Sequence, residues 1–178
     1  MTGLSTWRRG SILALMTFSL FSSKAGPSIV AGTKAPLFSL PDQTGTNFNL
    51  ADRKGHWTVL YFYPKDDTPG CTKQACAFRD SISVIEKLDA KVYGISKDTV
   101  ESHKKFVDKY KLNFPILADA DGSVIRQYGV SGLLGFAKRH TFILDPELNV
   151  AAVMTDVDPA ANAADVAKRI DELKRAKN

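Results

Sequence analysis

An apolar run at residues 58–63 (TVLYFY) is followed, after a polar turn, by a helical pattern that contains both cysteines of the chain. A run with so few polar residues predicts a central strand that is buried on both faces. The helix is expected to begin near Cys71 and to end near Leu88, because apolar residues recur at spacings of three and four: Ala75, Phe78, Ile82, Ile85 and Leu88. One sulfur is thereby placed at the carboxyl end of a buried strand.

Strands and helices alternate along the rest of the chain. Strand patterns occupy residues 46–50, 91–96, 114–117, 139–144 and 150–154, and helical patterns occupy residues 100–110, 121–128 and 159–174. Alternation implies parallel pairing, and the turn at 145–149 joins the last two strands as an antiparallel hairpin. We therefore predict an α/β protein with a thioredoxin-like fold, a mixed central β-sheet flanked by helices.

Residues 1–25 differ in composition from the rest of the chain. Arg8 and Arg9 precede an apolar run at 12–21. Residues 23–25 (SKA) then form the small-x-small pattern that a signal peptidase recognises. We expect a signal-like leader at 1–25, a single domain at 26–178, and export, with the periplasm as the destination. An organelle transit peptide, and an uncleaved leader on a weakly anchored or cytoplasmic protein, are the alternatives. No segment reaches the roughly 20 apolar residues that span a bilayer, so stable membrane insertion is not expected.

The charge of the chain depends partly on this leader. The net charge of the 178 residues is +5, and removal of residues 1–25 takes away three basic and no acidic residues, which leaves +2. Because no basic stripe with interleaved aromatic residues is present, nucleic-acid binding is not expected. The histidines at 56, 103 and 140 are scattered and interpreted as surface or local packing residues. Two cysteines at C-x4-C spacing give a metal site little support, and no cofactor is expected.

The spacing of Cys71 and Cys76 constrains how they can pair. A thiol at a helix N-terminus faces unpaired N–H groups and the positive end of the helix dipole, which favour the thiolate. Residues five apart in a straight helix have Cα atoms roughly 8–9 Å apart and point about 140° away from each other. A disulfide needs Cα atoms within about 7 Å. The two cysteines can bond only if the helix unwinds, which suits a redox switch better than a structural disulfide.

Residues 64–71 (PKDDTPGC) resemble the peroxidatic motif of peroxiredoxins, P-x-x-x-T/S-x-x-C. Residues 71–76 (CTKQAC) resemble the two-cysteine helix of the peroxiredoxin Q, or bacterioferritin comigratory protein, subfamily. Residues 35–42 (APLFSLPD), 61–65 (YFYPK) and 78–80 (FRD) also match its pattern. The resemblance extends from about residue 30 to residue 173, nearly the whole expected mature chain.

The resemblance implies an atypical two-cysteine peroxiredoxin that reduces hydrogen peroxide and organic hydroperoxides in antioxidant defence. Cys71 is then the peroxidatic cysteine, which a peroxide oxidises to sulfenic acid. Cys76 is the resolving cysteine, which forms an intramolecular disulfide that thioredoxin or a similar dithiol protein reduces. The family also needs an arginine near the peroxide, and residues 138–145 (KRHTFILD) resemble the segment that supplies it, which identifies Arg139.

Three residues around Cys71 have roles that chemistry suggests. Thr68 can hydrogen-bond the peroxide oxygens, Pro64 lacks an N–H and can shield the sulfur from water, and Gly70 permits backbone conformations that bring N–H groups close to substrate. Thr68 has a simpler interpretation as a turn residue.

The other site residues also have simpler interpretations. Cys71 can be an inert buried thiol, and Cys76 an unused residue facing the core. Arg139, like its neighbour Lys138, can be an exposed charge at a strand edge, and Arg79 is expected to form a structural salt bridge.

Two other functions compete with peroxide reduction. A thioredoxin-type thiol–disulfide oxidoreductase requires C-x-x-C and a cis-proline, whereas this chain has C-x4-C and no proline at 139–141. A non-enzymatic holdase or binding module can reuse the same fold.

Cysteine pairing within one domain favours a monomer. The segment at 130–138 is nearest in length to plant-type peroxiredoxin Q, which leaves the shape of the substrate pocket and any dimer contact open.

Overall fold

The structure is a computed structural model that describes residues 29–177, so the leader predicted at 1–25 lies outside the described residues. The strands are β1 (Ser39–Pro41), β2 (Asn47–Asn49), β3 (Trp57–Phe62), β4 (Ala90–Ser96), β5 (Ile116–Ala118), β6 (His140–Leu144) and β7 (Val150–Met154). The helices are α1 (Pro69–Glu86), α2 (Val100–Tyr110), α3 (Ser123–Gln127) and α4 (Asn162–Lys177), with single 3-10 turns at Leu50–Arg53 and Leu133–Gly135.

The central sheet has five strands in the order β5-β4-β3-β6-β7. Strand β4 pairs in parallel with β3 and β5, whereas β6 pairs antiparallel with both β3 and β7. The predicted mixed sheet and thioredoxin-like fold are confirmed. Strands β1 and β2 form a separate antiparallel hairpin.

Strand β3 lies at the centre and is buried along its whole length, as its apolar pattern predicted. Val59 and Tyr61 face the core cluster that includes residues of α1, α2 and α4, whereas Leu60 and Phe62 face a second cluster that includes α3 and β1. Since side chains alternate along a strand, one strand contributes to both cores. The end of β3 is therefore held from both sides, which gives the loop after it a rigid base.

Three helices begin at residues other than those predicted, and the smallest displacement is that of α3, which begins at Ser123 instead of residue 121. Helix α1 begins at Pro69 instead of near Cys71, because proline is well suited to the first helical position and Thr68 takes the extended N-cap conformation. Helix α4 begins at Asn162 instead of Pro159, because Asp158 holds the preceding residues in a turn: its side chain accepts from Ala160 N–H. Among residues 29–177, no helix is long and apolar enough to cross a membrane.

Candidate active site

Cys71 lies in the first turn of α1, buried under the residues that surround it. The first helical hydrogen bond runs from Thr72 N–H to the Thr68 carbonyl at 2.8 Å, so the N–H groups of Gly70 and Cys71 precede the helical ladder. Thr68 occupies the N-cap position, but its side chain makes no capping bond. The positive end of the helix is therefore available to a sulfur anion or to an oxygen that gains charge beside it.

Arg139 reaches Cys71 from the residue before β6, the strand that pairs with β3. It directly precedes β6, whose first residue His140 pairs with Phe62 at the end of β3. Its Nη2 donates to Cys71 Sγ at 3.3 Å across 68 residues of sequence. Its neighbour Lys138 is exposed, so the strand-edge interpretation fits Lys138 and not Arg139. The contact places a fixed positive charge against the sulfur.

Gln74, which was not predicted from the sequence, binds the other terminal nitrogen of this guanidinium. Its Oε1 accepts from Arg139 Nη1, and its Nε2 donates to Asn162 Oδ1 at 2.8 Å. Thr141 Oγ1 donates to the same Asn162 oxygen at 3.0 Å. Gln74, Asn162 and Thr141 are fully buried. A chain of hydrogen bonds, partly buried at Arg139 and fully buried at Gln74 and Asn162, therefore connects Cys71 to the first residue of α4.

Gly70 has a different use from the one predicted. It lies within α1 and has no positive φ, so its conformational freedom is not what the site requires. A Cβ atom at this position would lie 3.3 Å from Arg139 Nη2. The absence of a side chain at Gly70 thus leaves room for the guanidinium next to Cys71.

The active-site loop, residues 64–68, is anchored by a buried acidic side chain. Asp66 accepts from Tyr63 Oη at 2.6 Å and from Ser102 Oγ at 2.8 Å, and its other contact is with His103 Nδ1 at 2.9 Å. His103 is fully buried on α2, and its Nε2 lies 3.2 Å from the Leu117 carbonyl oxygen. The prediction of local packing holds for His103, but the packing is polar and fixes the loop. Its position three residues before Phe106, on the buried face of α2, is the sequence signal for this burial.

A second, exposed anchor holds the next residue of the loop. Asp67 has the left-handed φ of 56° and accepts hydrogen bonds from Lys109 Nζ at 2.7 Å and from Tyr110 Oη. These bonds, that of Lys109 first, hold the pKa of Asp67 below its usual range. Together, Asp66 and Asp67 tie the loop to α2, which keeps the N-terminus of α1 in place.

The remaining predicted residues lie in the loop before α1 or on α1 itself. Thr68 Oγ1 donates to the Lys65 carbonyl at 3.1 Å, which commits its proton but leaves its oxygen free to accept. Pro64 is half-buried and lies two residues after the end of β3. Cys76 is a half-buried free thiol on the unbroken helix α1. As expected, Arg79 forms a salt bridge, with Asp80 at 2.8 Å.

The donor set around Cys71 suits thiol chemistry. The site combines a sulfur nucleophile, a permanent cation and a helix N-terminus, which stabilise a thiolate and a negative charge that develops next to it. Within residues 29–177, no group of three or more His, Cys, Asp or Glu side chains is arranged to hold a metal ion.

Comparison with known proteins agrees with this chemistry. The profile of the AhpC/TSA family matches residues 31–153. The putative peroxiredoxin Bcp of Coxiella burnetii is 45% identical over 150 residues, which cover 80% of this chain and 99% of that protein. The chloroplastic peroxiredoxin Q of Sedum lineare is 44% identical over 149 residues, covering 82% of this chain and 80% of the relative.

Solved structures give the same result. Peroxidoxin BcpB of Mycobacterium tuberculosis superposes with a TM-score of 0.76 at 37% identity, covering 81% of this chain and 97% of that structure. Peroxiredoxin Q of Xanthomonas campestris superposes with a TM-score of 0.75 at 33% identity, covering 80% and 97%. The chain therefore belongs to the peroxiredoxin family of thiol-dependent peroxidases, in which its sequence and fold match the peroxiredoxin Q, or bacterioferritin comigratory protein, subfamily.

Proposed function

We propose that Cys71 reduces hydrogen peroxide and organic hydroperoxides, and that Cys76 resolves the oxidised cysteine within the same chain. The observation that carries this proposal is the 3.3 Å contact between Arg139 Nη2 and Cys71 Sγ at the N-terminus of α1. A solved structure of the related Xanthomonas campestris bacterioferritin comigratory protein is described in terms of that protein's alkyl peroxide reduction activity, which supports organic hydroperoxides as substrates.

The first step is a displacement at oxygen. The Cys71 thiolate donates an electron pair to the terminal oxygen of the peroxide, an S–O bond forms and the O–O bond breaks. The sulfur becomes sulfenic acid, and the leaving oxygen takes up a proton and departs as water or alcohol. Arg139 stabilises the thiolate and the charge that builds up on the leaving oxygen.

Two further residues have supporting roles in this step. Because the proton of Thr68 is donated to the Lys65 carbonyl, we propose that its oxygen accepts the hydrogen of the peroxide O–O–H group. Pro64 has no N–H that could hold a water molecule, and its half-buried ring keeps solvent from the sulfur.

The second step joins the two sulfurs. Cys76 attacks Cys71 sulfenic acid, water leaves, and a disulfide forms that a thioredoxin-like dithiol protein reduces by exchange. Because α1 runs unbroken through both cysteines, its first turns must unwind. Gln74 lies between them, so unwinding withdraws it from Arg139. Oxidation therefore dismantles the site that performs the first step.

Steady-state peroxidase kinetics test the assignment of the two cysteines. Peroxide consumption is measured with a protein dithiol as donor, for the wild type, Cys71→Ser and Cys76→Ser. Cys71→Ser should leave peroxide untouched, whereas Cys76→Ser should react once and then fail to recycle. If the wild type exchanges disulfides with client proteins but does not consume peroxide, the thioredoxin-type alternative is correct.

Arg139 has a matched control in the residue before it. Arg139→Met should slow the reaction of Cys71 with peroxide by about 10²–10³-fold, the usual effect of removing one transition-state donor. Lys138→Met removes the same charge from an exposed position one residue away and should leave the rate within about twofold of the wild type. Equal losses in both variants would mean that only general electrostatic attraction is at work.

Hydrogen exchange tests the unwinding step. Amides at residues 71–80 should exchange faster in the oxidised protein than in the reduced protein, because the disulfide is incompatible with the intact helix. The Cys76→Ser variant, which cannot form the disulfide, is the control. Equal protection in both states would contradict the intramolecular pairing.

Location and assembly are further parts of the proposal. We propose that residues 1–25 direct export, with an organelle as the alternative; the relative from Sedum lineare is named as chloroplastic. In an exported protein, the dithiol donor has to be one available outside the cytosol. Mass spectrometry of the protein from its native host gives the cleavage site, and sedimentation tests the proposed monomer.

A further inference from the structure

Asn162 joins the active site to the last helix through a single oxygen atom. Asn162 Oδ1 accepts from Gln74 Nε2 at 2.8 Å and from Thr141 Oγ1 at 3.0 Å. Asn162 is 1% exposed, and Gln74 and Thr141 are 0% exposed. The three residues come from α4, α1 and β6, so two donors from different elements meet at one acceptor.

This arrangement determines which end of the Gln74 amide faces Arg139. A side-chain amide has an accepting oxygen at one end and a donating NH₂ at the other, whereas a guanidinium only donates. With Asn162 Oδ1 taking the NH₂ of Gln74, the Gln74 oxygen is the end that meets Arg139. The reversed amide would oppose donors to the Arg139 N–H groups and leave the Asn162 oxygen facing another oxygen. Buried polar groups without partners are costly, so the reversed arrangement is disfavoured.

We propose that Asn162 is a positioning residue for the reaction of Cys71: it fixes the orientation of Gln74, which holds Arg139 against the sulfur. Thr141 completes the arrangement by donating to the same oxygen. The inference rests on the proposed peroxidase function and adds to it residues that touch neither the peroxide nor the sulfur.

A double-mutant cycle separates this role from ordinary structural support. The variants are Asn162→Leu, Gln74→Ala and the double variant. For each, the rate constants for the reactions of Cys71 with hydrogen peroxide and with iodoacetamide are measured. Iodoacetamide reports the accessibility of the sulfur but has no peroxide oxygens for Arg139 to stabilise. The ratio of the peroxide rate constant to the iodoacetamide rate constant is therefore the readout.

Asn162→Leu should lower this ratio about tenfold, because small misplacements of a catalytic group cost one to two orders of magnitude. In the double variant the ratio should equal that of Gln74→Ala alone, since residues that act through one another are not additive. Additive losses would overturn the proposal, and so would a ratio unchanged in Asn162→Leu. A wild type that does not react with peroxide at all would instead refute the proposed function.

A second pair of variants decides the matter if Asn162→Leu does not fold. Thr141→Val removes the hydroxyl at nearly constant volume, and Thr141→Ser keeps it. The ratio should be about two- to fivefold lower in Thr141→Val than in Thr141→Ser, a smaller effect because Asn162 still contacts Gln74. Equal ratios in the two variants would overturn the proposal, because the hydroxyl would then have no influence on Arg139.

Discussion

Two buried tyrosines, two residues apart, should respond in opposite directions to the same substitution. Tyr61 and Tyr63 are each 1% exposed, and their rings stack with centroids 5.4 Å apart. Tyr63 Oη donates to Asp66 at 2.6 Å, whereas Tyr61 Oη has no hydrogen-bond partner within residues 29–177. Burial, and then the charge of Asp66, raises the pKa of both phenols, so both are neutral and carry a donor proton at pH 7.

The expected changes in the free energy of unfolding can be worked out from these contacts. An unpaired buried hydroxyl costs about 1–3 kcal/mol, so Tyr61→Phe should stabilise the fold by roughly 1 kcal/mol after a small cavity penalty. The ring itself is retained, with its stack on Phe78 at 4.8 Å. Tyr63→Phe removes a bond to a charged acceptor and should destabilise the fold by about 1.5–3 kcal/mol. The two variants should therefore differ by roughly 2.5–4 kcal/mol in their free energy of unfolding.

Urea denaturation of the reduced protein measures both changes, with unchanged m values as the condition for comparing midpoints. Thermal midpoints should move about 2–4 °C upward for Tyr61→Phe and about 3–12 °C downward for Tyr63→Phe. If Tyr61→Phe instead loses more than about 1 kcal/mol, the hydroxyl has a partner, a buried water molecule included, and the reasoning is wrong.

Three further changes test the packing, a helix start and a titration. Gly94→Ala should destabilise the fold by about 1–3 kcal/mol in urea, because its Cβ would lie 2.7 Å from Tyr61 Oη. Asp119→Ala should cost about 1–3 kcal/mol, since Asp119 accepts from the Val124 and Ile125 N–H groups at the start of α3. Burial, and then Lys138, lowers the pKa of His140, so the unfolded chain binds the proton more readily. Stability should therefore fall as the pH drops below about 6.5, and His140→Gln should reduce this dependence in urea midpoints measured from pH 8 to pH 5.

The elements of the fold that local pattern determines were predicted well. Helix α2 (Val100–Tyr110) and strand β7 (Val150–Met154) have the bounds predicted for them. The signals that define these bounds, apolar periodicity and the turn residues on either side, are local in the sequence. Helix α1 begins two residues before its predicted start. The spacing of apolar residues gives no information about Pro69, which suits the first helical position. The mixed character of the sheet could be predicted from the alternation of strands and helices together with the closing hairpin.

The site was only partly predictable. The resemblance to peroxiredoxins identified Cys71 and Arg139, and the structure brings them together. Gln74 and Asn162 carry no comparable signal, because a buried amide looks in sequence like an exposed one and their bond joins residues 88 positions apart. The space that Gly70 leaves for Arg139 depends on the same long-range packing.

In the proposed mechanism, helix α1 has to satisfy two opposing demands. Reaction with peroxide needs the helix intact, because its first turn carries Cys71 and its next residues present Gln74 to Arg139. Formation of a disulfide with Cys76 needs the same turns to unwind. The buried Gln74–Asn162 hydrogen bond favours the first demand and opposes the second, so its strength sets a balance between fast oxidation and fast resolution. A stronger Gln74–Asn162 hydrogen bond would preserve the geometry that reacts with peroxide. It would also lengthen the lifetime of the Cys71 sulfenic acid and expose it to further oxidation.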